Sequence, residues 1–140
     1  MTTTSYDRLD SYEAYRLGEL MLGERQPREA ARALRVVVER APDHAAAWEL
    51  LGRAHFAAAH LERAEEAFRR LVDLEPTSGW AHAALARSLD RQSRSAVAAV
   101  LHRLAAALGE SVADGSRVDL VDPGPDDRPL EVDLSDRLGG

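Results

Sequence analysis

Residues 45–76 read AAAWELLGRAHFAAAHLERAEEAFRRLVDLEP, and this stretch decides the fold. Ala47, Leu51, Ala54 and Ala58 recur at helical spacing and form one apolar stripe. After a short break, Leu61, Ala64, Phe68, Leu71 and Val72 form a second stripe. Glu75-Pro76 closes it, because the residue before a proline is disfavoured in the α region. The stretch therefore predicts two consecutive amphipathic helices of similar length, a helical hairpin.

The same pattern appears 34 residues earlier and 34 residues later. Leu17, Leu51 and Leu85 fall in register, followed by the small column Gly18, Gly52 and Ala86. Ala30, Ala64 and Ala98 keep the step, as do Arg35, Arg69 and Arg103, and Pro42 matches Pro76. A fixed period of this size marks a repeat architecture. The spacing predicts helices over 8–23, 27–40, 44–58, 61–74, 78–91 and 95–108. Pro27 suits a first helical turn, where its missing N–H costs nothing. Ser95 is expected to cap the last helix. The small column allows close approach of the two helices in each hairpin, with the Ala30/Ala64/Ala98 column expected opposite. The fold class is all-α, an α-solenoid of three antiparallel helix pairs followed by an acidic, partly extended C-terminal tail.

Trp48-x2-Leu51-Gly52-x2-His55, then Ala64-x3-Phe68, then Pro76, resembles a tetratricopeptide repeat with only the aromatic slot at His55 altered. The first unit keeps Leu17, Gly18, Ala30 and Pro42, with Ala14 in the tryptophan slot. The third keeps Leu85 and Ala98 and departs at His82, Ala86, Leu89, His102 and Glu110. The resemblance covers residues 8–109, is strongest in the middle, and weakens at the ends, where terminal repeats face solvent or a cap. It implies a three-repeat domain over 1–110, with units near 11–44, 45–78 and 79–109. It also implies a concave groove, lined by the first helix of each unit, that receives a peptide or another protein. Carried onto this chain, the groove slots are Tyr12, Tyr15, Arg16 and Glu19, then Glu49, Arg53 and Phe56, then Trp80, Arg87 and Arg91. Aromatics interleaved with arginines are the residues favoured as interface anchors. One mode of the family is excluded. The slots that would grip a C-terminal carboxylate hold Tyr15, Glu19, Leu50, Trp80 and Ala84, and the chain contains neither Lys nor Asn.

Composition narrows the function further. The 140 residues carry 18 basic and 24 acidic side chains, a formal charge of −6, and every basic residue is arginine. That balance argues against a general nucleic-acid binder. The absence of lysine excludes a P-loop lysine or a Schiff base, and the absence of cysteine excludes disulfides and thiolate chemistry. The absence of Lys, Asn and Ile together points to a high-G+C source, such as an actinobacterium. The N-terminus has no basic and apolar leader pattern, and no segment is apolar enough to span a membrane, so the expectation is a cytoplasmic protein. Among the histidines, His82 and His102 are candidates to face each other inside the third hairpin, but no carboxylate is patterned to complete a metal site. No nucleophile, base and oxyanion donor are organised together. The chain is expected to be non-enzymatic, without metal or cofactor.

Residues 111–140 hold three arginines against eight acids, and Pro123, Pro125 and Pro129 interrupt them. Val118, Leu120 and Val121, then Leu130, Val132 and Leu134, form two short aliphatic clusters. Disorder and docked anchors are both compatible with this pattern. The last helix, from Ser95 to Leu108, is apolar on many faces. Two alternatives to a simple adaptor follow: the tail or the last helix occupies the chain's own binding surface, or the last helix forms a homodimer.

Overall fold

A computed structural model describes residues 6–109 and Leu120. After a 3-10 turn at Tyr6–Arg8 come six helices: α1 Ser11–Gly23, α2 Pro27–Arg40, α3 Ala45–Ala57, α4 Leu61–Leu74, α5 Gly79–Asp90 and α6 Ser95–Ala107. Among the described residues there is no strand. The helices pack as three hairpins, α1 on α2, α3 on α4 and α5 on α6, and each hairpin packs on the next through α2 on α3 and α4 on α5.

The 34-residue period extends to individual backbone bonds. The first helix of each hairpin begins at an N-cap spaced by 34. Asp10 Oδ1 accepts from the Glu13 N–H at 2.7 Å, His44 Nδ1 from Ala47 at 3.2 Å, and Ser78 Oγ from Ala81 at 3.1 Å. Each cap takes up a donor that the helix leaves unpaired. Asp10 also completes a capping box with Glu13, and so α1 starts at Ser11 rather than at residue 8. The turn inside each hairpin places one non-glycine residue in the left-handed region: Arg25 at φ 63°, Ala59 at 64° and Ser93 at 63°. The next amide then reaches back over the helix end, Gln26 N–H to Met21 O, His60 to His55 O and Arg94 to Leu89 O, at 2.8–2.9 Å. This is a Schellman-type closure, which satisfies carbonyls at the helix C-terminus. Ser95 is the first residue of α6 and gives no side-chain cap, since the αL turn places Arg94 at the N-cap.

Trp48 Nε1–H donates to Pro42 O at 2.7 Å, pinning α3 to the loop before it. One repeat later His82 Nε2 makes the equivalent bond to Pro76 O at 2.9 Å. A carbonyl only accepts, so Nε2 carries the proton. His102 Nε2 instead pairs with Asp90 Oδ2 at 2.7 Å. The two histidines therefore serve separate partners rather than one site. Among the described residues no group of three His, Cys, Asp or Glu side chains is arranged to hold a metal.

The small column works differently from the expected pairing. A Cβ built on Gly18 would lie 2.5 Å from Leu34 Cγ, and one on Gly52 would lie 2.4 Å from Phe68 Cε1. The bulky side chains of α2 and α4, rather than Ala30 and Ala64, lie over the glycines. Leu34 and Phe68 are wholly buried and have nowhere to move. Gly52→Ala is therefore expected to lower the unfolding free energy by roughly 1–3 kcal/mol through overpacking. In urea titrations, the penalty of Gly52→Ala should shrink in a Phe68→Leu background, and strict additivity of the two changes would refute the contact.

Candidate functional site

The slots on α1 and α3 come together in one polar strip. Arg16 Nη1 pairs with Glu19 Oε1 at 2.7 Å along α1, and Arg53 with Glu49 at 3.5 Å along α3. Tyr15 sits between them. Burial raises its pKa first, the charges of Glu19 and Glu49 raise it further, and Arg16 and Arg53 oppose them. Its ring also stacks on His44, with centroids 5.2 Å apart and planes 20° apart. His44 was not among the expected site residues, although its 34-residue register with Asp10 and Ser78 marks it as a cap. Leu50, buried, lies in the same core cluster as Tyr15's contacts. Tyr12 stands in solvent, 71% exposed.

The junction of the second and third units departs from the sequence expectation. Phe56 is fully buried, 0% exposed, and belongs to the core cluster that includes Ala83, Ala84, Leu85 and Leu89 of α5. The alanines of α5 leave room for its ring, which removes Phe56 from the candidate binding face. Arg87 lies over that ring, its Cζ 5.8 Å from the centroid, and this cation–π contact holds the guanidinium at the surface above the core. Trp80 rests edge-on against Phe68 of α4, with centroids 5.8 Å apart and planes at 75°, so it fills the α4–α5 junction with part of its surface still open. Arg91, partly exposed, follows α5 as its C-cap. The arginines on this face are thus held by neighbours, Arg16 and Arg53 by carboxylates and Arg87 by an aromatic ring.

Across the second and third units, Glu65 forms a polar tie. It accepts from Arg69 at 2.8 Å, from Arg94 at 2.8 Å and from Gln92 at 3.1 Å. Burial pushes its carboxyl upward, but hydrogen bonds from Arg69 and Gln92 with the charges of Arg69 and Arg94 prevail and lower its pKa. Gln92 also donates to the carbonyls of Leu61 and Ser88. Beside this tie lies a shallow depression of about 540 Å³ lined by Ala59, His60, Leu61, Glu62, Arg63 and Gln92.

His55, in the aromatic slot of the second repeat, lies behind His60 with ring centroids 5.9 Å apart. Burial, then the charges of His60, Arg63 and Arg35, push its pKa down to about 4. The folded protein thus resists protonation that the unfolded chain accepts near 6.5. Stability is complete above pH 6.5 and falls as the pH drops through 4, by up to about 3 kcal/mol. The lowered pKa of His60 acts in the same direction. His55→Phe should flatten the pH dependence of the urea midpoint between 6.5 and 4, and an unchanged slope would contradict the burial of a neutral ring.

Among the described residues no helix is long and apolar enough to cross a membrane. Residues 15–79 match the tetratricopeptide repeat family. MamA from Desulfovibrio magneticus RS-1 superposes with a TM-score of 0.68 at 31% identity, over 71% of this chain and 56% of that one. The chain thus spans a little over half the length of that relative. A mutant of MamA superposes with a TM-score of 0.70 at 25% identity, over 75% of this chain and 77% of that one. A Thermobaculum terrenum O-GlcNAc transferase mutant shares the fold alone, with a TM-score of 0.63 and 22% identity over 76% of this chain and 21% of that one. No curated protein sequence matches the chain. With their 34-residue hairpins, capped and close-packed helices and these likenesses, residues 15–79 are tetratricopeptide repeats.

Proposed function

We propose that the protein is a non-enzymatic interaction module that holds an extended segment of another protein along α1, α3 and α5. The observation that carries this reading is the strip of Tyr15, Arg16, Glu19, Glu49 and Arg53, where two helices converge on one phenol. Both signs of charge beside a half-buried aromatic suit recognition of another protein. Tyr12, Trp80, Arg87 and Arg91 extend the face toward either end, and Phe56 supports it from beneath. The ion pairs are exposed enough to exchange partners at small cost, since such pairs contribute about 0–1 kcal/mol each. A ligand carboxylate is therefore able to replace Glu49 on Arg53 without a large penalty.

Peptides selected from a random library on the wild-type protein should contain acidic or aromatic residues and bind Arg53→Glu/Arg87→Glu at least tenfold more weakly. Circular dichroism should show the same helix content in both proteins. Selected peptides that bind the double variant equally well would remove the groove from consideration.

A further inference from the structure

A repeat solenoid needs a cover at each end, because the last hairpin has faces built to receive a following helix. In the first two units that helix is present: Val37 of α2 is buried with α3 following, and Leu71 of α4 with α5 following. Ala105 occupies the same register on α6, where no further helix follows among the described residues, yet it is 0% exposed. On α5, Ala84 stands in register with Leu50, and it is also wholly buried, as is Ser88. From Ala81 to Leu89 every residue of α5 except Arg87 is buried, so α5 is covered on more sides than its own hairpin and α4 account for.

The described residue beyond Gly109 is Leu120, 9% exposed and part of the same core cluster as Phe56, Ala84, Leu85, Leu89 and Ala105. Residues 110–119 join it to α6, enough chain to reach about 33 Å, while a helix of 13 residues such as α6 is about 20 Å long. Charge favours the same pairing. Residues 79–109 hold four arginines against the single acid Asp90, whereas residues 111–140 hold eight acids against three arginines.

We propose that the open end of the solenoid is a docking surface for the chain's own C-terminal segment, anchored by Leu120 in the position a seventh helix would take. The Leu120 side chain packs in the apolar cluster of α5 and α6, and the segment's eight acids against three arginines complement Arg87, Arg91, Arg94 and Arg103 in charge. The end that would otherwise accept another repeat, or another molecule, is closed within one chain. This does not depend on what the concave face binds.

Hydrogen exchange on the full chain tests it, comparing wild type with Leu120→Asp and Leu120→Ala, and with α1–α4 as the internal reference for folding. Amides of α6 should exchange at least tenfold faster in Leu120→Asp and by a smaller factor in Leu120→Ala, with α1–α4 unchanged. Should Leu120→Asp loosen the whole chain, Leu120→Ala decides by the same comparison. Equal α6 exchange in all three proteins would overturn the proposal. So would a wild-type dimer by sedimentation whose α6 protection rises with concentration and ignores Leu120, which would place a second copy on this end.

Discussion

Everything in this fold depends on how closely two helices of a hairpin approach. Gly18 beneath Leu34 and Gly52 beneath Phe68 leave no room for even a methyl group. That closeness brings Ala30 and Ala64 to full burial and sets the tilt at which the next hairpin stacks. In the third unit the glycine is replaced by Ala86, and the residue in the Leu34/Phe68 register is His102. Its ring is partly exposed and turned to Asp90. Without a glycine to lie on, the terminal hairpin closes with a smaller apolar contact and a polar one.

The second constraint is that both kinds of turn are fixed in length. Within each hairpin an αL residue and a Schellman closure end one helix, and between hairpins an N-cap begins the next. Each device recurs at 34 residues with different side chains: Asp, His and Ser as caps; Arg, Ala and Ser in the left-handed turn. Backbone geometry is repeated while side-chain identity is free to change. The tryptophan slot illustrates the point, because Trp48 and His82 differ in size and polarity but both present a ring N–H to a proline carbonyl.

Helix number, order and boundaries were legible because they rest on apolar period, proline and repeat register, all local properties. The α1 start is the exception: the apolar period placed it at residue 8, three residues early, because it does not register the capping box of Asp10 and Glu13. What the sequence could not convey was which apolar residues a neighbouring repeat covers. Phe56 occupies a groove slot by repeat register, but its burial depends on the alanines of a helix more than twenty residues later. Trp80 likewise turns its edge to Phe68 because space exists at the α4–α5 junction. Tyr15, Arg16, Glu19, Glu49 and Arg53 lie near one another, since their proximity follows from helix faces and the stacking of α1 on α3 alone. The aliphatic clusters at 118–121 and 130–134 lie outside the described residues apart from Leu120. The last helix keeps Val97, Val100, Leu104 and Leu108 at 37–54% exposure, so its apolar excess is only partly covered.

The tie at Glu65 has a mechanical consequence. It joins α4 to the turn between α5 and α6, but its counterparts one repeat earlier are Ala31, Ala58 and His60, which offer no comparable set of hydrogen bonds. In a solenoid each unit is held only by its neighbours. The seam before α5 therefore carries a polar tie that has no counterpart in the same register before α3.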